Sequence, residues 1–361
     1  MQELNLRYSG VTTSRIVIGS RLIDSCGALL KETTFPEKAV IITDTNVGPI
    51  YEGILSKSLA REGIIAETIT VPAGEHSKTL KTATDIYSSL ANACADRGSI
   101  IIALGGGVIG DLAGFVASTY LRGLPLVHIP TSLLAQVDSS IGGKTAVNLG
   151  RLKNQVGTYC HARLVISDIA TLSTLPAHEF GNGVAEIIKS AAIADEDLFA
   201  LLEKSIENLK PGNTELCEHA VFQTAQIKGQ IVSADERDVS SRQLLNFGHT
   251  IGHGIESATG FSISHGKAVA AGMTAAAKLS MKLGLLSKAD LLRLKQLIAR
   301  AGLPVSIPGI NPGDITDAIT HDKKIKNGKM SFILITKPGS GLISQEVTPE
   351  MIKQVLAEDD D

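Results

Sequence analysis

The chain has 361 residues, of which 43% are hydrophobic and 20% charged, so it is not a disordered chain, and its length suggests about two domains. Its 34 basic and 37 acidic residues leave a net charge of −3, which gives no electrostatic case for binding nucleic acid or an anionic membrane. The 4 cysteines form no CxxC pattern, and the N-terminal residues lack the apolar stretch of a signal peptide. No apolar run approaches the roughly 20 residues of a membrane helix. We therefore expect a cytoplasmic protein that has neither nucleic acid nor a membrane as its partner.

The first half of the chain alternates short β-branched runs with helical stretches. The runs that predict strands are 14–19, 38–43, 65–71, 99–104, 126–130 and 162–168. Helices are predicted over 51–61 and 78–97. This alternation is typical of a mostly parallel sheet with helices on its faces.

The second half is dominated by alanine, leucine, lysine and glutamate, which recur with a helical period. The helical windows are 182–194, 198–208, 215–235, 247–259, 266–283 and 288–301, and only 330–336 is predicted as a strand. A turn at 173–176 separates the two halves. We predict an α/β + α chain with a Rossmann-like, mostly parallel sheet domain over 1–176 and a mainly helical, metal-binding domain over 177–361.

A glycine-rich loop over 105–111 satisfies the G-x-G-x-x-G pattern, follows a predicted strand and opens a predicted helix over 111–120. Glycines let the backbone approach a phosphate, and a helix N-terminus offers free N–H groups. The alternative is an ordinary tight turn. The acid expected about 20 residues later for a ribose hydroxyl is missing, and Asp44, at the end of another strand, is the candidate that replaces it. The polar stretch 74–78 ends the next strand, where a capping turn is the alternative.

A second loop follows the strand that ends at Pro130. Thr131 and Ser132 precede a helix-like stretch that contains Gln136 and Asp138, and the run 139–145 places two glycines before a lysine. Such a pattern suits an anion site, and the pair at 153–154 adds further donors. Taken alone, each lysine can equally be a solvated surface residue.

Two histidines, His249 and His253, are spaced four residues apart, which places both imidazoles on one face of a helix. His265 follows a predicted loop, and Glu186 lies in an amphipathic segment. A catalytic zinc site needs three protein ligands and an open position. These residues predict a nitrogen–oxygen site of the zinc or cobalt type, although two ordinary polar residues on a helix would show the same spacing.

Three segments together resemble the 3-dehydroquinate synthase family, within the sugar-phosphate cyclases. They are GGGVIGDLAGFVASTYLRG from Gly105, PTSLLAQVDSSIGGKTAVN from Pro130, and LNFGHTIGHGIE from Leu245, which is followed by His265 and Gly266. The resemblance covers nearly the whole chain. It implies an NAD- and zinc- or cobalt-dependent homodimer that acts on a small sugar phosphate.

The resemblance also implies roles for individual residues. The metal would be held by Glu186, His249 and His265, which makes His253 a nearby catalytic residue rather than a ligand. The predicted NAD contacts are Asp44, Asn46, Glu75, Lys78, Gly106, Gly107, Val108, Asp111, Thr131, Ser132, Asp138, Lys144, Lys153, Thr174, Leu175 and Glu179. The predicted catalytic and substrate-binding residues are Arg122, Asp138, Lys144, Lys153, Asn154, Lys189, Lys228, Arg242, Asn246, His253 and one of Lys323 and Lys324.

The sequence departs from the family pattern at three positions. Ser132 stands where threonine is usual, Leu152 where glycine is common, and Lys267 where an acid is common. None of these changes removes a predicted catalytic group. Because Lys267 lies two residues after a predicted ligand, we expect it to alter the local field and the metal affinity.

The implied reaction converts 3-deoxy-D-arabino-heptulosonate 7-phosphate to 3-dehydroquinate and phosphate, the second step of the shikimate pathway. NAD is reduced and then reoxidised, phosphate leaves by β-elimination, and an aldol step closes the ring. We expect the substrate to lie between the two domains, with closure on binding. The alternatives are another sugar-phosphate cyclase, a metal-dependent NAD polyol dehydrogenase and a non-catalytic scaffold.

Overall fold

The computed structural model of the chain describes residues 1–8, 12–33, 36–150, 152–321, 325–326 and 329–358. These residues form two compact units. The first comprises Met1–Leu175 and Thr214–Glu236, and the second comprises Pro176–Asn213 and Arg237–Asp361. The chain therefore passes from the first unit to the second at the predicted turn and returns once.

The elements follow one another in this order along the chain. The strands are β1 (Gln2–Tyr8), β2 (Thr12–Gly19), β3 (Lys38–Asp44), β4 (Ile65–Val71), β5 (Ile100–Gly105), β6 (Leu126–Pro130), β7 (Lys144–Leu149), β8 (Leu152–Tyr159), β9 (Leu164–Asp168), β10 (Ile325–Lys326), β11 (Lys329–Met330), β12 (Phe332–Lys337) and β13 (Ser340–Ser344). The helices are α1 (Cys26–Thr33), α2 (Gly48–Arg61), α3 (Leu80–Asn92), α4 (Gly107–Thr119), α5 (Ala177–Ala194), α6 (Glu196–Ser205), α7 (Thr214–Ala234), α8 (His249–Ala258), α9 (His265–Lys282), α10 (Lys288–Arg300), α11 (Pro312–His321) and α12 (Pro349–Ala357).

A seven-stranded sheet in the order β1-β2-β9-β6-β5-β3-β4 forms the centre of the first unit. All neighbours pair in parallel except β1 and β2, which are antiparallel. The interior strands β5, β6 and β9 are buried at every position, as expected where both faces of a parallel sheet are covered. Their continuous β-branched runs, rather than an alternating pattern, are therefore the correct signal, and the predicted α/β class is confirmed.

One face of this sheet packs against α1 and α2. Ile41 and Ile102 from adjacent strands are fully buried with Leu30 of α1 and Leu55 and Leu59 of α2. Burial of a side chain of this size contributes about 1.5–3 kcal/mol. This core holds the carboxyl ends of the strands in fixed positions, and ligands of open α/β sheets bind at those ends.

The segment 214–236 corrects the predicted domain boundary. A single division after residue 176 would place α7 in the helical half, but α7 packs against β1, β2 and the stretch Ala135–Ser139, which all belong to the first unit. Its buried face carries Ala220, Val221 and Lys228. A helical period reveals that one face of a helix is buried but not which element covers it. The sequence alone therefore did not show that α7 belongs to the first unit.

Four strand features were not predicted from the sequence. These are β1, the hairpin β7–β8, the short pair β10–β11, and β13, which pairs with β12 in the second unit. The hairpin contains Lys144 and Thr145, at the end of the predicted anion loop 139–145, and both residues of the donor pair at 153–154. The rest of the second unit is mainly helical, as predicted. No helix of the described residues is both long enough and apolar enough to span a membrane.

Candidate functional site

The glycine-rich loop joins β5 to α4. Gly105 ends the strand, Gly106 is the cap residue, and the helix begins at Gly107, four residues earlier than predicted. Val108 therefore lies in the first turn of α4 rather than before the helix, and Asp111 lies in its second turn rather than at its start. Since the first N–H groups of a helix have no partner within the helix, they are available to an anion here.

The second loop lies directly against the first. Thr131 N donates to Gly105 O over 3.0 Å. A Cβ atom placed on Gly107 would lie 3.0 Å from Ser139 Oγ, and one on Gly106 would lie 3.4 Å from Ser132 Oγ. The two loops thus form a narrow cradle that a side chain at Gly107 would begin to fill.

A buried lysine joins two other predicted site residues. Lys78 Nζ donates to Asp111 Oδ2 and to Asn154 Oδ1, each over 2.5 Å. Burial raises the pKa of Asp111 above its ordinary value, and the charge of Lys78 opposes that rise. Asn154 reaches this position from β8 with a left-handed backbone, at φ 55°. The structure therefore brings together residues that are far apart in the sequence.

A second lysine–carboxylate pair lies in the same unit. Lys228 Nζ on α7 donates to Asp138 Oδ1 over 2.8 Å and to the backbone oxygen of Asp138 over 2.5 Å. Asp138 lies in a π-helical stretch, Ala135–Ser139, within the segment that was predicted to be helix-like. Such stretches often occur at functional sites because they redirect one side chain.

Three further predicted NAD contacts lie at or after strand ends. Asp44 Oδ1 accepts from the backbone N–H groups of Asn46 and Val47, over 2.8 and 3.0 Å. Glu75 Oε1 accepts from Asn148 Nδ2 over 2.7 Å. Asp44 therefore stabilises its own turn through one oxygen only.

The other predicted residues of the first unit occupy varied positions. Thr174 Oγ1 hydrogen-bonds Tyr51 Oη over 2.6 Å. Arg122 lies in a short 3₁₀ turn with φ 69°. The remaining predicted contacts on this unit are Lys144 at the start of β7, Lys153 on β8 and Leu175 at the end of the unit.

Three further predicted residues, Glu179, Arg242 and Asn246, lie in the second unit outside the metal group. Glu179 lies in the first turn of α5, where Asn182 Nδ2 donates to it over 3.0 Å. Arg242 and Asn246 lie in a 3₁₀ stretch, Ser241–Asn246, and Arg242 is buried. Glu179 is thus the one predicted NAD contact that does not belong to the first unit. Lys323 and Lys324 lie outside the described residues.

Glu186, His249 and His265 form a compact donor group in the second unit. The Oε1 atom of Glu186 lies 3.5 Å from Nε2 of each histidine. It is fully buried and has no hydrogen-bond partner among the described residues, whereas Oε2 accepts from Lys189. A buried carboxylate oxygen is costly unless a partner satisfies it. The donor set fits a cation held by one oxygen and two nitrogen atoms.

The electrostatics of this group follow from burial and from nearby charges. Burial opposes the ionisation of Glu186, but Lys189 and the two histidines together hold its pKa well below the ordinary value. Burial lowers the pKa of His249 to about 3, which keeps its imidazole neutral. Burial also acts on His265, but Glu186 and Glu256 outweigh it and raise the pKa of His265 to about 10. A metal must therefore displace a proton from His265 when it binds.

The four-residue spacing of His249 and His253 does not place the two histidines in one donor group. Their rings lie edge to face with centroids 5.4 Å apart, but His253 falls in a different donor group, with Glu256 and His265. Glu256 was missed, although its position three residues after His253 is on the same face of α8. The structure therefore agrees with the ligand set that the family resemblance implied, and that set stays a prediction.

Close packing between α8 and α9 brings the histidines of the two helices together. A Cβ atom on Gly272 would lie 2.1 Å from the backbone oxygen of Gly248, and one on Gly252 would lie 3.2 Å from Ala268. Gly248 itself has φ 78°, a conformation that a side chain disfavours. These glycines let the helices approach closely enough for His249 and His265 to face the same carboxylate.

We predict that Gly272→Ala lowers the free energy of unfolding by about 3 kcal/mol, because the added methyl group must push the two backbones apart. The same shift separates the histidines and weakens metal binding. Gly53→Ala on α2 is the matched control, since nothing lies within 4 Å of its added Cβ. Chemical denaturation measures both variants. Equal stability of Gly272→Ala and Gly53→Ala would contradict this account of the helix packing.

The three departures from the family pattern lie at the edges of these groups. Ser132 Oγ accepts from Ala135 N over 3.3 Å, so its hydroxyl is used within the loop. Leu152 begins β8 with its side chain 57% exposed. Lys267 is exposed on α9. All three side chains are compatible with the local structure.

The fold is that of the sugar-phosphate cyclases. A solved structure of 2-deoxy-scyllo-inosose synthase, complexed with carbaglucose-6-phosphate, NAD+ and Co2+, matches with a TM-score of 0.90 and 27% identity, covering 98% of this chain and 99% of that one. A structure of 2-epi-5-epi-valiolone synthase from Streptomyces hygroscopicus, with NAD+ and Zn2+ bound, matches with a TM-score of 0.85 and 29% identity, covering 99% and 97%.

Sequence comparisons define the family more narrowly. The models of the 3-dehydroquinate synthase N-terminal and C-terminal regions match residues 68–182 and 183–325. The chain is 49% identical to 3-dehydroquinate synthase of Dehalococcoides mccartyi, covering 99% of both chains, and 44% identical to that of Symbiobacterium thermophilum, covering 94% and 95%. This chain belongs to the 3-dehydroquinate synthase family.

Proposed function

We propose that the chain converts 3-deoxy-D-arabino-heptulosonate 7-phosphate to 3-dehydroquinate and phosphate, as a carbon–oxygen lyase that uses NAD and zinc or cobalt. The observation that carries this proposal is the donor group of Glu186, His249 and His265 in a chain that is 49% identical to a curated 3-dehydroquinate synthase. The family assignment alone would not show that the chemistry is intact. The buried Oε1 atom of Glu186, which has no hydrogen-bond partner among the described residues, supports an intact metal site.

The proposed metal ligands are Glu186, His249 and His265. When bound, the metal supplies a Lewis acid that makes a substrate hydroxyl easier to deprotonate. Lys189 donates to Oε2 of Glu186, which leaves Oε1 directed toward the two histidines. The role proposed for Lys189 is therefore to orient this carboxylate as well as to add positive charge near an anionic substrate.

The proposed NAD site is the narrow cradle between the glycine-rich loop and the second loop. NAD supplies a reversible hydride acceptor when bound. The N-terminus of α4 offers N–H groups to a pyrophosphate, and the closeness of Gly107 to Ser139 explains why larger residues do not fit there. We propose that Asp44 Oδ2 accepts from a ribose hydroxyl, since the turn uses only Oδ1.

The proposed substrate contacts are cationic and amide side chains, which suit a substrate with both a carboxylate and a phosphate. On the first unit, Lys228 is held by Asp138, so its charge has a fixed position. His253 is the candidate for moving protons, because its ring lies 5.4 Å from that of His249 and 6.4 Å from that of His265. The further contacts we propose are Arg122, Lys144, Lys153, Asn154, Arg242 and Asn246.

We expect Asp44→Asn to weaken NAD binding by about 10- to 30-fold, because a hydrogen bond to a charged carboxylate contributes more than one to an amide. The asparagine oxygen still accepts from Asn46 and Val47, so thermal stability stays unchanged. Asp44→Ala loses the turn bonds as well and is less stable. Isothermal titration with NAD separates these effects, and an unchanged dissociation constant for Asp44→Asn would contradict the ribose role.

The test of the proposed function is a comparison of substrates at saturating NAD and metal. We expect phosphate release from the heptulosonate phosphate to be at least about 10³-fold more efficient, in kcat/KM, than release from hexose 6-phosphates. Hexose phosphates are the relevant competitors because a structural relative binds carbaglucose-6-phosphate. Preference for a hexose phosphate would favour another sugar-phosphate cyclase instead.

We further propose that the protein is a cytoplasmic homodimer, as the family resemblance implies. The chain mass is 37.9 kDa. Sedimentation equilibrium should therefore return about twice that mass. A concentration-independent monomer would contradict the proposed assembly without affecting the proposed chemistry.

A further inference from the structure

A second carboxylate lies beside the proposed metal ligands. Oε1 of Glu256 lies 3.4 Å from Nδ1 of His265, whereas Nε2 of the same ring lies 3.5 Å from Oε1 of Glu186. Glu256 is buried and follows His249 by seven residues on α8, which places both residues on one helix face. The imidazole of His265 is therefore held between two carboxylates, one at each nitrogen.

We infer that Glu256 is a positioning residue that fixes the tautomer and orientation of His265 and thereby sets the affinity of the metal site. This inference rests on the proposed function, since it assigns a role toward the metal proposed there.

The argument begins with the proton of the ring. An ionised carboxylate accepts hydrogen bonds but cannot donate them. The contact with Glu256 therefore favours the proton of a neutral His265 on Nδ1. With the proton on Nδ1, the lone pair of Nε2 is directed toward Glu186. A cation bound there would be held by this lone pair and by Oε1 of Glu186.

The other proposed histidine ligand shows the same arrangement with a neutral partner. Nδ1 of His249 lies 3.2 Å from the backbone oxygen of Phe247, and its Nε2 faces Glu186. Both rings thus have an oxygen at Nδ1 and the shared carboxylate at Nε2. The partner of His265 differs in carrying a charge, which increases the basicity of the ring and strengthens a metal bond.

The same geometry argues against a second metal ion at Glu256. His253, Glu256 and His265 offer donor atoms within 4.8 Å of one another. However, an ion there that used Nδ1 of His265 would require the ring to lose both protons while Nε2 bound the first ion. When Glu256 accepts a hydrogen bond from Nδ1, the ring keeps that proton and no such state is required. Glu256 therefore orients His265 and does not bind a further cation.

The experiment compares Glu256→Gln, Glu256→Ala and the control Glu207→Gln as metal-free proteins titrated with zinc against a chelating dye. Glu207 lies on the same unit in an exposed ion pair with Arg300, so its loss should not alter metal binding. We expect the dissociation constant for zinc to rise about 100-fold in Glu256→Ala and about 10-fold in Glu256→Gln, whose oxygen still accepts the proton. We also expect the visible spectrum of bound Co2+ to shift in Glu256→Ala but not in the control.

The outcomes separate this inference from the proposed function. Both Glu256 variants binding zinc as tightly as the wild type would overturn the positioning role, whatever the activity of the wild type. Equal losses in Glu256→Gln and Glu256→Ala would also overturn it, because a retained acceptor would then have no effect. A wild-type protein that binds metal but releases no phosphate from the heptulosonate phosphate would contradict the proposed function and leave the metal titration valid.

Discussion

Replacing Glu186 with glutamine is expected to lower kcat on the order of 10³-fold and to abolish tight binding of zinc or cobalt. A glutamine oxygen is a weaker ligand than a carboxylate because it carries no charge. The two histidines would retain their nitrogen atoms but would face an uncharged amide in place of the carboxylate whose Oε1 both of them now face. Metal content after dialysis, measured with steady-state kinetics, tests this result.

The same replacement removes the buried carboxylate charge that Lys189 contacts, so folding must be measured as well. Removing one member of a buried ion pair costs about 3–5 kcal/mol. Glu186→Gln should therefore unfold at a lower temperature, and Glu186→Gln/Lys189→Met should recover part of that loss without recovering metal binding. Glu203→Gln on α6 is a control from a more exposed ion pair. Retention of tight metal binding in a folded Glu186→Gln protein would contradict the assigned ligand set.

Replacing Lys78 with methionine is expected to be the second largest change. The Nζ atom of Lys78 is the donor to both Asp111 and Asn154, so the variant leaves the largely but not fully buried carboxylate of Asp111 without its cation. We expect a loss of about 3 kcal/mol in the free energy of unfolding at pH 7. We also expect NAD binding to weaken about 10- to 100-fold, because a charged donor is lost from the proposed site.

The loss of stability in Lys78→Met should depend on pH with a definite sign. Burial already raises the pKa of folded Asp111 above 3.8, and Lys78 limits that rise, so its removal moves the folded pKa higher. A raised folded pKa means that stability is complete below the unfolded pKa and is lost as the pH rises through the folded pKa. The deficit of the variant against wild type should therefore be larger at about pH 7 than at about pH 4.

A double variant separates the two roles of Lys78. Lys78→Met/Asp111→Asn removes the buried charge and should recover most of the lost stability, while NAD binding stays weak. Denaturation and NAD titration of the two single variants and the double variant complete the cycle. A double variant that is no more stable than Lys78→Met would contradict the buried-charge explanation.

Local patterns in the sequence were sufficient for the sheet of the first unit. The run 126–130 coincides with β6 because a parallel strand that is covered on both faces is a continuous apolar segment between turns. The run 65–71 coincides with β4, an edge strand whose residues are mostly exposed, so there the β-branched residues and the flanking turns were the signal. The start of α4 was predicted too late because Gly106 and Gly107 suggest a loop, although only Gly106 lies outside the helix. A single sequence does not show where a glycine-rich turn ends and its helix begins.

Contacts between distant segments could not be predicted from spacing. Lys78 reaches Asn154, and Glu186 on α5 faces histidines on α8 and α9, because packing brings these elements together. The four-residue spacing favoured His253 as a ligand, whereas the backbone approach at Gly272 brings His265 to Glu186 instead. Spacing within one helix identifies neighbours on that helix only. The ligand set of Glu186, His249 and His265, which spans three helices, was implied by the family resemblance.

The central claim is a redox-neutral cyclisation in which NAD is used repeatedly. The most direct test is to incubate the metal-loaded protein with the heptulosonate phosphate and substoichiometric NAD, and to follow the products by NMR. We expect phosphate and 3-dehydroquinate to form in many-fold excess over NAD. Turnover that stops after one NADH per NAD, with no phosphate released, would contradict this account and indicate a metal-dependent dehydrogenase.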